Sequence, residues 1–429
     1  KPDYRVLGRD KGWADAWARA TEAQWRTFAD VPEFDAARQL SFGGTTVLQM
    51  RSAMLAGDGL ALALWLPDRS GARWSTAIQS IDPARLCNPQ WGMSNLHLRE
   101  GVEINDFGEP IAYWIRKTHP SETALLGGSD AFERIPARTG FGRRRVLHLY
   151  EKLRPGQSRG RAILASVMGA FRMLDHYQRT ELQTAVVNSM IAAFIETPLR
   201  GEDIADLFGG GKQFIASKSG WEVKLQGAGV IPLHPGDKLN AFTPTRPNSA
   251  YAQFVEAVLR YISTGLNIPY ELLMKDFSKT NYSSARAALL EAWRYFMAMR
   301  RWVATSWAGP VYELWLEEAV NHGDVEAPDF YENRAAYCRA EWIGPGRGWI
   351  DPMKEAQAAD VRMNEAGMST LERECAEQGT DWQEVLEQRA TEREFAAGLG
   401  IELHGPRPAQ LRAEPSGPPD EPEDEVAVA

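Results

Sequence analysis

The stretch Leu266–Leu289 constrains the fold more than any other part of the chain, because it stops one helix, exposes a loop and starts another. Pro269 is expected to end whatever helix precedes it, since its ring fixes φ and removes a backbone donor. Ser283 or Ser284 can cap a new helix by accepting hydrogen bonds from its free N–H groups. The sequence therefore predicts two helices joined by an exposed polar loop at about 274–282.

Before this stretch, the spacing of apolar residues changes from helical to strand-like. Apolar positions recur every three or four residues over 11–30 and 34–56, which predicts two helices, with Gly43-Gly44 expected to interrupt the second. Between 59 and 150 the apolar runs shorten to strand length. Residues 102–115 hold two such runs around Asn-Asp-Phe-Gly-Glu-Pro, a pattern that predicts a β-hairpin.

The middle of the chain predicts two helices around a small insertion. Residues 160–195 repeat apolar side chains at helical spacing, and a helix of that length spans ~50 Å. Residues 196–246 contain several prolines and two candidate strands, at 213–216 and 221–225. The following stretch, 248–266, again has one apolar face, so the small α/β insertion lies between two helices.

The C-terminal part of the chain predicts further helices and a tail. The helix that starts near Ser284 is expected to run to about Val320 with a kink at Pro310. Ser369-Thr370-Leu371-Glu372 fits a capping box. From Pro406 the chain is Pro-rich and then acidic, which predicts disorder. Shorter helices are expected at 352–366, 370–378 and 381–398. The whole pattern indicates an α+β fold that is predominantly helical.

Charge and cysteine content argue against several classes of protein. The net charge of −9 argues against a protein that wraps nucleic acid tightly, although a mostly acidic wall with a few basic residues suits DNA that slides. Cys87, Cys338 and Cys375 are far apart and form no CxxC, which argues against a disulfide framework or a zinc site. No apolar run reaches transmembrane length, no signal peptide is visible, and the chain begins at Lys1 without Met.

No catalytic constellation emerges from the motifs. Gly209-Gly210-Gly211-Lys212 lacks the GxxxxGK[ST] pattern, so a flexible turn is the better interpretation. The histidines show neither HxH nor HExxH spacing, and no GxSxG segment is present. The alternative function, a metal-dependent nucleic-acid-processing enzyme, would need clustered carboxylates, whereas those of this chain are scattered. A third possibility is a helical scaffold or adaptor without a channel. The sequence predicts no cofactor and no metal.

The order of these elements, with particular local segments, resembles the lambda-type portal proteins of tailed bacteriophages along nearly the whole chain. The segments that carry the resemblance are the hairpin 102–115, Gly160–Ile195, Ile268-Pro269-Tyr270, Asn281–Ala288 and 349–356 (Trp-Ile-Asp-Pro-Met-Lys-Glu-Ala). The N-terminal stretch of the family is missing, which weakens the resemblance for the outer part of the wing.

The resemblance implies a portal-type architecture with wing, stem, clip, tunnel and crown. Its expected divisions are a wing at 1–158, a wing-to-stem helix at 159–195, a clip at 196–246, a second stem helix at 247–267, a tunnel loop region at 268–283, a kinked wing and tunnel helix at 284–340, a helical crown at 341–400 and a disordered acidic tail at 401–429.

The resemblance also implies a structural role and not an enzymatic one. It implies a closed homo-oligomeric ring of about twelve subunits at one capsid vertex, assembled in the host cytoplasm, in which neighbours meet through two different complementary faces. Double-stranded DNA would pass through the ring. The other implied partners are the major capsid protein, the large subunit of the terminase motor and the head–tail connector. The abundance of tryptophan, at 15, indicates either plain core packing or broad interfaces of this kind.

Three groups of candidate site residues follow from the chain and the resemblance. In the loop at 274–282, Lys275 and Lys279 are expected to touch phosphate, with Asn281 and Tyr282 as hydrogen-bonding neighbours; the alternative is that both lysines keep a surface loop soluble. The clip candidates, which could instead belong to a solvated hairpin, are Lys212, Lys218, Trp221 and Lys224. The intersubunit candidates, which could instead be exposed arginines beside a strand or partners of Glu291, are Arg143, Arg144, Arg145, Arg286 and Arg294.

Overall fold

The structure is a computed structural model. It describes residues 1–89, 97–121, 132–190, 194–196, 214–217, 220–223, 238–240, 251–346, 348 and 351–401, with the backbone alone at 187–190, at 282 and in the four short segments between 194 and 240. The chain forms two compact units, one made of Lys1–Ile163 with Phe277–Ala429 and the other of Leu164–Asp276. Each unit combines α-helices with antiparallel strands, which confirms the mixed fold class.

Both units contain helices and strands, which are numbered along the chain. The α-helices are α1 (Lys11–Ala29), α2 (Phe42–Ala56), α3 (Met168–Met190), α4 (Tyr251–Gly265), α5 (Tyr270–Met274), α6 (Tyr282–Val303), α7 (Gly309–His322), α8 (Arg334–Tyr337), α9 (Pro352–Asp360), α10 (Leu371–Glu377) and α11 (Trp382–Gly398). The strands are β1 (Gly59–Trp65), β2 (Thr76–Ile81), β3 (Leu98–Arg99), β4 (Val102–Ile104), β5 (Pro110–Arg116), β6 (Phe132–Pro136), β7 (Val146–Leu149), β8 (Phe194–Glu196), β9 (Phe214–Ser217), β10 (Gly220–Val223) and β11 (Lys238–Asn240).

The two N-terminal helices begin at side-chain caps. The Asp10 carboxylate accepts from the Trp13 N–H and starts α1, as the pattern over 11–30 predicts. The predicted helix over 34–56 is too long at its start, because a short 3₁₀ turn lies at Pro32–Phe34 and Ser41 caps α2 only at Phe42. Gly43-Gly44 does not interrupt α2 but lies in its first turn.

The strands between 59 and 149 form two antiparallel sheets. One has the order β2-β1-β7 and the other β3-β4-β5-β6, and the predicted hairpin at 102–115 is the β4–β5 pair. Backbone hydrogen bonds join the two sheets at one end. Ala137 N–H donates to Ile111 O at 2.9 Å, Arg145 N–H to Ala137 O at 2.9 Å, and Ala63 N–H to Arg145 O at 2.9 Å. These bonds place the ends of four strands side by side.

The long helical stretch after residue 281 changes to a π-type turn just before Pro310, where a kink is predicted, and its start differs from the prediction. Asn281, not Ser283 or Ser284, is the cap, since its Oδ1 accepts from the Ser284 N–H at 2.8 Å. A wide π-type turn at Ala304–Ala308 separates α6 from α7. Pro310 accounts for this irregular turn, because it has no N–H to donate and its ring would clash with the carbonyl four residues earlier in a regular α-helix.

The core of the first unit is an aromatic cluster between α1, α2, α7 and the sheet β2-β1-β7. Trp25 is half-buried and packs against this cluster, with its ring centroid 5.3 Å from that of Phe42, 5.5 Å from that of Tyr312 and 5.3 Å from that of Trp315. Trp315 is fully buried and also contacts Trp74. Much of the tryptophan content therefore serves ordinary core packing.

The second unit is built on an antiparallel pair of helices. Tyr177 of α3 stacks on Tyr251 of α4, and at the other end Gly265 lies beside Val167, so close that any Cβ at 265 would come within 2.3 Å of the valine side chain. The predicted helix over 160–195 is too long at both ends. A 3₁₀ turn at Ile163–Ser166 precedes α3, and Phe194–Glu196 is a strand that pairs with β11. A helix of the length of α3 spans roughly 35 Å.

The C-terminal helices follow the predicted positions with local corrections. The helix expected over 352–366 is α9 followed by a π-type turn at Val361–Glu365. Thr370 and not Ser369 caps α10, accepting from Arg373 N–H, so the predicted capping box is wrong. Helices α9, α10 and α11 are described in full, and Ala396 of α11 is the one residue in them that is buried.

Candidate functional site

The predicted loop begins in the second unit with an unusual lysine. Lys275 ends α5 in the left-handed region, with φ of 54°, while its N–H donates to the Glu271 carbonyl. Asp276 N–H donates to the same carbonyl at 3.1 Å. A non-glycine residue in this conformation costs about 1–2 kcal/mol. The Lys275 side chain is therefore presented to solvent by a strained helix end where glycine would fit with less strain.

The rest of the predicted loop belongs to the first unit. Thr280 N–H donates to Phe277 O at 3.1 Å and closes a turn that presents Lys279 to solvent. Asn281 uses its side-chain oxygen to cap α6, so that acceptor is already occupied. The backbone of Tyr282 lies in the first turn of α6, whereas its side chain is outside the described residues. Of the four predicted loop residues, Lys275 and Lys279 are the two whose side chains are exposed and charged. Phe277 lies between them in the chain and is also exposed, although the sequence analysis does not single it out.

The arginines of α6 have partners within the first unit. Arg294 pairs with Glu291 at 3.3 Å on the exposed face, as one of the two interpretations expected. Arg286 is half-buried and lies near Asp351. The pKa of Asp351 is lowered first by the N–H and side chain of Lys354 and to a smaller extent by Arg286. An intersubunit role for either arginine stays a prediction.

Arg143 departs from the expectation of exposed arginines beside a strand. Its Nη1 donates to Glu317 Oε2 at 3.2 Å and to the Leu314 carbonyl at 3.1 Å, and its Nη2 donates to Thr76 Oγ1 at 2.6 Å. Burial lowers the pKa of Arg143, and the Glu317 charge acts in the opposite direction. The guanidinium thus anchors α7 on the sheet within one chain, and an intersubunit role for it stays a prediction. Arg144 and Arg145 are half-buried, and their predicted role is untested.

Glu317 and its neighbour form a buried acidic pair that sequence reasoning missed. Glu317 also accepts from Arg334 at 3.3 Å, so one carboxylate bridges two guanidinium groups. Glu318 accepts from the backbone N–H groups of Ser75 and Thr76, at 2.6 and 2.9 Å. Two adjacent glutamates in a helix resemble surface residues, and the partners lie far away in the chain, so the sequence holds no signal for this site.

A second missed network ties residues 159–160 to the sheets. Asp58 is buried and accepts from His148 Nε2 at 3.0 Å, from Gly160 N–H at 2.7 Å and from Arg159 Nε. Arg159 also donates to the carbonyls of Leu86 and Pro83. The Gly57 carbonyl lies so near Gly160 that no Cβ can be accommodated there.

The electrostatics of this network are those of a buried pair. Burial lowers the pKa of His148, while Asp58 acts to raise it. Burial acts to raise the pKa of Asp58, but the hydrogen bond with His148 and the charge of Arg159 hold it below its usual range. Asp58 is therefore the charged partner of Arg159. A shallow cavity of about 380 Å³, lined in part by Cys87 and Asn88, opens beside the network.

The clip candidates fall where the structure describes no side chains. Lys212, Lys218 and Lys224 lie outside the described residues, and Trp221 is described only as part of the backbone of β10. Their predicted contacts therefore stay predictions.

The described part of the chain shows neither a metal-binding cluster nor a membrane-spanning helix. There, no group of three or more His, Cys, Asp or Glu residues could hold a metal ion. Of the helices that the structure describes, none has the length and apolar character needed to cross a bilayer.

Comparison with known proteins gives consistent sequence matches. Residues 1–300 match the family model described as phage portal protein, lambda family. The chain is 36% identical to portal protein B of Escherichia phage lambda over 93% of this chain and 78% of that protein, and 36% identical to the portal protein of Escherichia phage N15 with the same coverage. A probable portal protein of Halomonas phage phiHAP-1 is 24% identical, covering 86% of this chain and 68% of that protein.

Comparison of structures gives more distant likenesses. The neck of an empty gene transfer agent (GTA) particle, computed with C6 symmetry, contains a chain with a TM-score of 0.42 and 13% identity, covering 82% of each chain. The virion of a native GTA particle contains a chain with a TM-score of 0.40 and 14% identity, covering 84% of this chain and 89% of that chain.

Proposed function

This chain belongs to the lambda family of phage portal proteins, and from that membership we propose that it is the subunit of a ring-shaped DNA channel at one vertex of a capsid. The observation that carries the proposal is the 36% identity to portal protein B of phage lambda over 93% of the chain. We propose that about twelve copies close the ring through heterologous contacts. The terminase motor would dock on it during packaging, and the head–tail connector afterwards.

The antiparallel pair α3 and α4 supports the assignment of the stem. The two helices contact each other at Gly265 beside Val167 and at Tyr177 on Tyr251. We propose that the chain between them contains the clip, at 196–246, and that the clip meets the motor. The wing would comprise 1–158 and the crown 341–400, with the major capsid protein around the wing.

We propose that Lys275 and Lys279 provide weak, mobile contacts to the phosphates of passing DNA. Each exposed lysine adds a salt-sensitive attraction without shape-specific binding. The whole chain carries a net charge of −9, so two lysines per subunit give a channel some attraction for DNA without holding it fast. The strain at Lys275 favours a role for its side chain, because glycine would stabilise the same backbone conformation.

The ring is tested by electron microscopy of the purified full chain, with a mass measurement on the same sample. We expect rings with a central hole of about 20 Å or more, since the major groove of duplex DNA alone is ~12 Å wide. Portal rings that close only with partners would appear when the chain is co-expressed with capsid protein. A chain that forms no ring in either setting, or that cuts DNA in the presence of a divalent metal, would contradict the proposed function.

The loop is tested in assembled particles with a double variant, Lys275→Gln with Lys279→Gln. We expect normal rings but reduced packaging or retention of DNA, with the arginine pair, Lys275→Arg and Lys279→Arg, close to normal. Lys11→Gln with Lys152→Gln is a matched control, since both residues are also exposed lysines. Normal DNA packaging and retention by the glutamine variant would contradict the proposed lysine contacts with DNA but would not bear on the proposed ring.

A further inference from the structure

The turn between β6 and β7 places two arginines directly opposite each other. The chain reverses at 139–142, after Pro136 at the end of β6 and before Val146 at the start of β7. On either side of the reversal, Arg138 and Arg144 form an isolated antiparallel bridge, and we call them the arginine pair. Like charges that face each other across two strands repel, so the pair destabilises the turn unless another group compensates the charge.

The backbone hydrogen bonds of the turn bring the two side chains close together. Thr139 N–H donates to the Arg143 carbonyl at 2.8 Å, and Arg145 N–H donates to the Ala137 carbonyl at 2.9 Å. The arginine pair lies between these two bonds and exchanges none of its own. In such a pair the Cα atoms are only about 4.5 Å apart, and the two side chains leave the same face.

Neither arginine of the pair forms an ion pair with a carboxylate among the described residues. Arg138 is exposed, and its Nη1 donates to the Gly142 carbonyl at 3.0 Å. Arg144 is half-buried, its side chain has no hydrogen bond to the part of the chain that the structure describes, and its Nε is buried without an acceptor. A guanidinium has five N–H donors and a permanent charge, so leaving one half-buried without an acceptor is costly.

The carboxylates of α7 do not neutralise the pair. Glu317 is shared by two other arginines, and Glu318 accepts from backbone N–H groups. Glu313 lies near Arg144 without forming an ion pair with it. Burial lowers the pKa of Arg144 and the charge of Arg138 lowers it further, whereas Glu313 acts in the opposite direction and more weakly than Arg138. The pair therefore lacks an anionic partner.

A tetrahedral oxyanion fits two adjacent guanidinium groups better than a carboxylate does. A carboxylate in its usual bidentate geometry receives two bonds from one guanidinium, as Glu103 does from Arg134 at 2.8 and 2.9 Å. A phosphate has at least three acceptor oxygens that point in different directions, so it can accept from two guanidinium groups at once. Arginine is also the residue whose planar fork matches phosphate geometry.

We propose that Arg138 and Arg144 bind a phosphate-type oxyanion at the turn between β6 and β7. The bound anion compensates both charges, supplies the acceptor that Arg144 lacks, and links the two sides of the turn. The site lies within one chain and apart from the loop at 274–282. It can therefore be tested whether or not the protein forms a ring or a channel.

Calorimetric titration of the purified full chain with inorganic phosphate, at constant ionic strength, tests the site. We expect saturable binding, which Arg138→Gln and Arg144→Gln each weaken by about tenfold or more, because hydrogen bonds between charged groups are strong. Arg145→Gln is the matched control, since it removes the same charge from a side chain on the opposite face of the strand. It should change the affinity by about twofold or less, as is expected for a screened charge.

Thermal unfolding separates binding from folding. Phosphate should raise the unfolding temperature of the wild type, because a ligand that binds the folded state stabilises it, and should leave that of either glutamine variant unchanged. In phosphate-free buffer Arg138→Gln should be as stable as the wild type, since it also removes the repulsion between the arginines. If a glutamine variant does not fold, Arg144→Lys keeps the charge without the planar fork and should bind phosphate more weakly.

Parallel titrations with adenosine monophosphate and with a short DNA duplex identify the source of the phosphate group. Saturable binding of inorganic phosphate that depends on the arginine pair supports the site, whether or not the monophosphate also binds. Absence of saturable phosphate binding, or an equal loss of affinity in Arg145→Gln, would overturn it, because only the general attraction of a basic surface would then remain. Binding of the duplex alone would also overturn it and would make the turn a contact with DNA. None of these outcomes bears on whether the chain forms rings.

Discussion

Two regions of the first unit use the same ion-pair chemistry at opposite degrees of burial. In the core, Glu317 joins Arg143 and Arg334, with the carboxylate almost completely buried. On the C-terminal helix α11, Glu384 pairs with Arg26 of α1 at 2.7 Å, and both side chains are more than half exposed. Short distances occur in both regions, so the distance alone does not report how much each pair matters.

The difference in burial separates the parts of the fold that one chain stabilises alone from the parts that exposed charges hold. The core pairs sit among aromatic side chains that are buried within one copy, so their geometry is fixed by packing. In contrast, α9 to α11 expose Met353, Leu386 and Phe395, and α11 pairs with α1 through exposed charges. We expect the core to keep its structure in an isolated subunit and the C-terminal helices to depend on salt and on neighbours.

The largest effect of a single substitution is expected at Glu317, in the buried region. We expect Glu317→Ala to lower the free energy of unfolding by about 3–5 kcal/mol, because it leaves the Arg143 charge buried without its carboxylate. Chemical denaturation of the full chain measures the change. Glu332→Ala, which removes an exposed glutamate from the same unit, should stay within about 0.5 kcal/mol of the wild type. If both substitutions change the free energy of unfolding equally, burial does not determine how much a glutamate contributes to stability.

Arg159 offers a smaller but more specific test of the buried class. We expect Arg159→Lys to lower the free energy of unfolding by about 1–3 kcal/mol. Lysine keeps a charge for Asp58 but cannot also reach the carbonyls of Leu86 and Pro83 with a planar fork. The exchange of the amide protons at 159–163 should accelerate, since this network holds that segment. If the lysine variant is as stable as the wild type, the positive charge at residue 159 is sufficient and the bonds to the two carbonyls add nothing measurable.

The pH dependence of the buried network follows from the direction of two pKa shifts. The pKa of His148 is lowered in the folded state, so its contribution is complete above about 6.5 and declines as the pH falls below that value. The pKa of Asp58 is also lowered, so its contribution is lost below about 3.8. We therefore expect the unfolding temperature to fall between pH 7 and pH 5. His148→Gln should flatten that slope, and a slope unchanged by the substitution would assign it to other groups.

The sequence predicts the local elements well and the long-range contacts poorly, for a physical reason. Hairpin 102–115 and the helix–loop–helix around Pro269 depend on neighbouring residues, so spacing and turn residues suffice to predict them. Arg143 meets Glu317 across 174 residues of chain, and no periodicity reports such a contact. The same holds for β8, which ends the predicted helix over 160–195 by pairing with β11. Family membership is recognisable from residue order, whereas the buried networks require the fold.

The exposed pairs should give the smallest effect and the strongest dependence on salt. We expect Arg26→Gln to change the free energy of global unfolding by only about 0.2–1 kcal/mol, as is usual for exposed ion pairs. Its local effect should be larger, because Arg26 holds both Glu22 and Glu384 and so joins α1 to α11. Hydrogen exchange in 382–398 should accelerate in the variant, and raising the salt to about 1 M should accelerate it in the wild type, since the Debye length falls to about 3 Å. Arg179→Gln breaks an exposed pair within α3 and should leave this exchange unchanged. If the variant and the wild type exchange alike at low salt, the apolar contacts of α11 and not its charges hold the helix, and the contrast with the core would then be one of degree.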